Sequence, residues 1–216
     1  MNSKYTRFLL AAVLLPLAAQ ADASARTDIG QELDQARQEV RVELAQERAR
    51  LDSENLSLGD GLHFGKDDKD EAAKRKALPK GEITPKGDLL IEDKAVAIDT
   101  GQRGQLLAYR AQVIDLAKIG IDAGEKAANV AFEATDVSLF RLIVGGMSGS
   151  LERRVEGVVR QEIQPMVLQI CSRLPQLRAS QQALAASVPE FRPYATLEAD
   201  DAADCQRDIR RELASR

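Results

Sequence analysis

Cys171, Cys205, His63 and the run Gly145-Gly146-Met147-Ser148-Gly149-Ser150 are the places where this chain could do chemistry. The two cysteines are the stronger signal. An even count in an oxidising compartment reads as a disulfide. One bridge closes a loop of about 35 residues, worth about 3–4 kcal/mol in the chain-entropy account. A redox-active pair is more often a close C-x-x-C, which is absent. The glycine-serine run misses the last glycine of a G-x-S-x-G elbow and follows a helical pattern rather than a strand. A serine triad would have to use His63, the only histidine. The run also lacks the G-K-[ST] of a phosphate loop, so it reads as an inter-helix turn before a helix starting near Ser150.

Two acid clusters could in principle hold a metal: His63 with Asp67, Asp68, Asp70 and Glu71, and Glu198, Asp200, Asp201 and Asp204. Neither has the spacing of a calcium loop. Lys66 and Lys69 oppose a cation in the first, and the second opens a helix, where acids offset the macrodipole. Both read as solvated surface. The basic Lys74–Lys86 segment has no interleaved aromatics for base stacking. Asn55-Leu56-Ser57 matches a glycosylation sequon, a pattern of low specificity. No catalytic, cofactor or metal residue is assigned.

The elements that would position these residues begin with an export signal. Lys4 and Arg7 precede the apolar stretch Phe8–Leu15, and small residues after Pro16 end in Ala19-Gln20-Ala21. That order is a signal peptide over residues 1–21, with Ala23 and Ala25 as alternative cleavage points. The stretch is too short to span a bilayer, and no cysteine follows it to carry a lipid anchor. Cleavage after Ala21 leaves 28 basic against 34 acidic side chains, a net charge of −6. An acidic chain disfavours nucleic acid and anionic lipid as main partners. The 44% hydrophobic content leans on alanine, with no tryptophan, which predicts helices around a modest core.

Residues 26–52 read as a charged amphipathic helix. Ile29, Leu33, Ala36, Val40 and Leu44 form one narrow apolar stripe along it, a candidate partner contact if not a docking face. Residues 53–80, with their glycines and dense mixed charge, read as a flexible linker. Residues 81–98 read as a β-meander of two or three short strands around the turn Pro85-Lys86-Gly87-Asp88. Asp99 and Gln102 fit a capping box for a helix over about 102–134, which Thr135-Asp136 could restart. Gly120 and Gly124 share a face and predict close helix packing there, while Lys118, Asp122, Glu125 and Lys126 argue against a membrane dimer face. The most apolar run, Val137–Val144, precedes the glycine break. The next helix should kink or split at Pro165 and end at Cys171, and another should open at Leu174-Pro175. An extended connector, Val188–Tyr194, and a last helix over about 197–213 complete the domain, residues 81–214.

From Glu82 onward the chain resembles the YggN-like proteins of Gram-negative envelopes. The resemblance rests on Gly87-Asp88-Leu89-Leu90-Ile91 with Lys94 and Val96, on Gln102-Arg103, Leu107 and Tyr109, and on Cys171 and Cys205 bracketing Pro189, Phe191, Pro193 and Tyr194. It spans roughly residues 82–209. The charged helix and linker that precede it depart from the short strands of that family. The resemblance implies a periplasmic location and transfers no catalytic residue.

The expectation is a mostly α (α+β) protein: a helical bundle with a small antiparallel β-meander, preceded by a charged helical arm. The leading function is non-enzymatic, through another envelope protein or self-association. A carrier of lipid or another apolar ligand is the alternative, on the strength of Val137–Val144 beside the glycine break. A hydrolytic enzyme is the least supported.

Overall fold

A computed structural model describes residues 16–59, 77–144, 153 and 156–214. Helix α1 (Pro16–Ser53) leads into strand β1 (Leu56–Leu58); β2 (Gly81–Ile83), β3 (Leu89–Ile91) and β4 (Lys94–Ala95) follow. Helix α2 (Thr100–Val144), a π-helical turn (Val159–Ile163), helix α3 (Gln164–Ser187), a 3-10 turn (Pro189–Tyr194) and helix α4 (Asp201–Ala214) complete the order. This is the mostly α architecture with a small antiparallel sheet that the sequence predicts. The signal core Phe8–Leu15, His63 with its acid cluster, and the run Gly145–Ser150 lie outside the described residues.

The sheet has strand order β1-β2-β3-β4, every pair antiparallel. Leu56 faces Ile83, and Ile83 faces Leu89, so the alternating side chains Leu58, Ile83 and Leu89 enter the core. The predicted linker therefore contains a strand. Leu56-Ser57-Leu58 is too short to announce itself, and its partner lies more than twenty residues along the chain. Ladder pairing ends at Ala95 rather than reaching Ile98, although Val96 donates to the Leu89 carbonyl and both Val96 and Ile98 pack on the core.

Two turns are built differently. In Thr84–Asp88, the Gly87 N–H donates to the Thr84 carbonyl, and the Thr84 hydroxyl accepts from the Lys86 and Asp88 amides. Gly87 has φ +81°, and a Cβ there would lie 2.7 Å from Leu107 Cγ. Glycine thus serves both the backbone and the approach of the turn to α2. The β3–β4 turn puts two non-glycine residues, Glu92 and Asp93, at positive φ. Lys80 offsets that cost: its amide donates to Glu92 Oε1 and its ammonium to Asp93 Oδ1.

The capping box forms as predicted. The Gln102 amide donates to Asp99 Oδ1, and the Asp99 amide to Gln102 Oε1, each at 2.8 Å. From there α2 runs unbroken through Thr135-Asp136. Both residues keep a backbone N–H, so nothing obliges the ladder to stop. Antiparallel to it, α3 is joined by polar rungs: Gln102 Nε2 to the Ser187 carbonyl, Ser187 Oγ to Gln105, and Gln112 paired with Ser180.

Pro165 acts as expected, by a specific route. Just before it the helix widens into a π-turn, in which the Gln164 amide bonds to Val159 rather than to Arg160. Cys171 does not end the helix and Pro175 does not start another; α3 runs through both. Proline removes one N–H, while burial of Ile170, Cys171, Leu174, Leu177 and Leu184 along one face holds the helix together. Gly120 and Gly124 are not a close-packing site either, since a Cβ on either would meet nothing within 4 Å.

The predicted extended connector is a 3-10 turn, and its two aromatics are buried. Phe191 stands edge-on to Tyr109 at 5.4 Å. The Gln181 amide nitrogen donates to Tyr109 and more weakly to the Tyr194 carbonyl; its oxygen accepts from the Leu197 amide. A buried glutamine with its polar atoms satisfied fixes where three elements meet. Burial pushes the Tyr109 phenol up, and the hydrogen bond from Gln181 opposes that. Helix α4 starts at Asp201, four residues after the predicted start, and Cys205 bonds Cys171 across to α3 at a Cα–Cα distance of 5.7 Å.

Two predictions concern stability. A Cβ on Gly81 would sit 2.6 Å from Cζ of Tyr194, whose hydroxyl donates to the Pro79 carbonyl. Gly81→Ala should therefore destabilise the protein by about 1–3 kcal/mol in urea titration; an unchanged midpoint would show the ring is free to yield. The Arg103 guanidinium holds the Asp88 carboxyl below the usual carboxylate range. A lowered folded pKa stabilises the protein above the ordinary carboxylate value, and that share is lost as pH falls through the depressed one. Urea midpoints below about pH 4 should fall less steeply for Asp88→Asn than for the parent. Parallel curves would refute the linkage.

Candidate functional site

Helix α1 meets α2 along a seam built mostly from polar side chains. At the end nearest the sheet, Arg110 is buried at 8% exposure. One of its terminal nitrogens lies 2.9, 3.2 and 2.8 Å from the carbonyls of Leu51, Asp52 and Glu54. These carbonyls belong to the last turn of α1 and its exit, where the helix leaves acceptors unpaired and its dipole is negative. A cation there satisfies both. Arg110 Nε is buried without a partner, so the contact is bought with some desolvation.

Further along, Lys118 Nζ lies 2.8 Å from both Asp52 carboxylate oxygens, and Arg48 pairs with Asp122. Farther still, Arg37 lies over the Phe132 ring at 5.6 Å from its centroid and pairs with Asp34 at 2.9 Å. Numbers rise on α2 as they fall on α1, so the two helices run antiparallel. The exposed pairs are each worth only about 0–1 kcal/mol. The buried Arg110 contact anchors the seam.

Of the predicted contact residues, Leu33, Ala36, Val40 and Leu44 are half-buried, and Ile29 belongs to α1 with its side chain outside the described residues. Helical spacing puts Leu33, Val40 and Leu44 on the side from which Arg37 and Arg48 reach α2. The arm therefore docks rather than projects. Its C-terminal end is part of the fold: Leu58 is in the core, and Arg110 depends on the exit of α1. Removing residues 26–60 would take away β1 and strand a buried cation, so the arm is not a detachable module.

A cleft of about 600 Å³ opens on the seam between Asp34, Arg37, Gln38 and Arg41 of α1 and Asn129 of α2. Sequence reading missed it. The only local signal was the repeat of arginine at positions 37 and 41, with nothing to place Asn129 opposite. Its polar lining offers no seat for an apolar ligand. The run Val137–Val144 is helical backbone within α2, and its side chains are outside the described residues.

The remaining candidates are structural where described. The Asp201 carboxylate accepts from the Glu198 amide, and Asp204 pairs with Arg207, so this acid cluster caps and braces α4. Among the described residues no group of three His, Cys, Asp or Glu could hold a metal, and no helix is long and apolar enough to cross a membrane. The cysteine pair is a bonded staple, with Cys171 fully buried. No family model, curated protein or solved structure matches the chain.

Replacing Arg110 with methionine keeps most of the bulk and removes the cap. It should cost about 2–3 kcal/mol and raise amide exchange first in the last turns of α1. Uniform exchange with an unchanged urea midpoint would show that α1 docks without it.

Proposed function

We propose that the chain is an exported, periplasmic, non-enzymatic protein that binds another envelope protein along α1. One observation carries this reading: from Gln31 to Arg50 no residue of α1 is buried, although the segment carries an apolar stripe. Leu33, Ala36, Val40 and Leu44 are only partly covered by α2. Such a helix pair leaves a shallow apolar track along which a third amphipathic helix can lie. The disulfide, the signal-like first residues and the resemblance to YggN-like proteins support the location. The exposed ion pairs around the track favour a partner with its own mixed charges over a lipid surface.

A photo-reactive residue at Glu43, exposed beside the track, should give a discrete adduct with another envelope protein in intact cells. The same residue at Ala186, exposed at the far end of α3, should give none. Ala36→Asp, on the stripe itself, should abolish the adduct while far-UV circular dichroism shows the helices retained. An adduct only with a second copy would replace the envelope partner by self-association. No adduct, or equal adducts from both positions, would refute the reading.

A further inference from the structure

We propose that the cleft between Arg37, Arg41 and Asn129 binds a small polar oxyanion, a carboxylate or phosphate group on a molecule with further hydrogen-bonding groups. This is independent of protein binding along the track. Three observations carry it.

The first is charge bookkeeping along the seam. Arg48 has Asp122, Lys118 has Asp52, Arg110 has three carbonyls, and Arg37 has Asp34. Arg41 has no hydrogen-bond or ion-pair partner among the described residues, yet it lines the cleft. Among the described lining residues, two guanidiniums stand against the single carboxylate of Asp34.

The second is preorganisation. Arg37 is held on one side by the Phe132 ring and at its edge by Asp34, so its position is set before a ligand arrives. Arg41 is one turn further on the same helix, within reach of the same anion. Planar forks suit carboxylate and phosphate oxygens better than an ammonium does.

The third is size and lining. About 600 Å³ exceeds what an inorganic ion fills and lies within the range of small-molecule sites. Gln38 on one wall and Asn129 on the other each offer an amide donor and acceptor. They suit hydroxyl or peptide groups attached to the anion. Asp34 discourages a second negative charge at its end of the cleft.

The test is a titration of the folded mature protein, followed by amide and side-chain shifts in NMR, with inorganic phosphate and with N-acetyl-alanyl-glutamate as separate probes. Saturable shifts of the Asn129 and Gln38 side-chain amides are expected with at least one probe. Shifts with the peptide alone would assign a carboxylate ligand, and with phosphate alone a phosphorylated one. Arg41→Gln should weaken binding by roughly tenfold, Arg41→Lys by less, and Arg160→Gln, an exposed cation on the π-turn, not at all. Far-UV circular dichroism of each variant confirms that the helices persist. The proposal is overturned by the absence of saturable shifts, by equal binding to Arg41→Gln, or by equal weakening in Arg160→Gln, which would indicate diffuse attraction to surface charge.

Discussion

The burial of Arg110 against the end of α1 is the constraint on which the rest of the arrangement depends. A guanidinium at 8% exposure must have acceptors, and among the described residues these are the carbonyls of Leu51, Asp52 and Glu54. Those atoms exist as acceptors only because α1 ends there. The cap fixes where α1 stops and which way it runs along α2. It also fixes where the chain emerges to form β1, two residues after Glu54. Leu58 then reaches the core and extends the sheet to four strands.

Around that anchor, the buried side chains concentrate near the sheet. Tyr109, Leu177, Leu184, Val188, Phe191 and Tyr194 join Leu58, Ile83 and Leu89 in one core. Gln181 ties α2, α3 and the 3-10 turn together through hydrogen bonds that only this packing satisfies. The disulfide adds a covalent link from the buried face of α3 to α4, in which no described residue is buried. Beyond Leu116, no described residue of α2 is buried, and the contacts of α1 there include ion pairs and a cation–π stack beside half-buried apolar side chains. A partner or a ligand is better accommodated there than at the sheet end, where adding a single methyl to Gly81 already collides with Tyr194.

Local signals were legible where a few neighbouring residues decide the outcome. Asp99 and Gln102 make a reciprocal cap that needs nothing else in the chain. The Thr84–Asp88 turn follows from proline and glycine at fixed places, and Pro165 announces a distortion of its helix. Pro175 shows the limit of such reading. Its local effect is the same as that of any interior proline, but the buried face running from Ile170 to Leu184 outweighs it. The same holds for Gly120 and Gly124, whose spacing invites a close neighbour that the bundle does not provide.

By itself, the sequence determined the helical class, the small sheet, the candidate disulfide pair and the apolar stripe of α1, because composition, periodicity and capping act over a few residues. Only the tertiary structure decided that Leu56–Leu58 is a strand, that Arg110 is a buried cap, that α1 docks on α2, and that Asn129 faces two arginines across a cleft. Each of these depends on groups brought together from distant parts of the chain. Their energies come from burial and from hydrogen bonds to particular carbonyls, neither of which leaves a periodic trace in the order of residues.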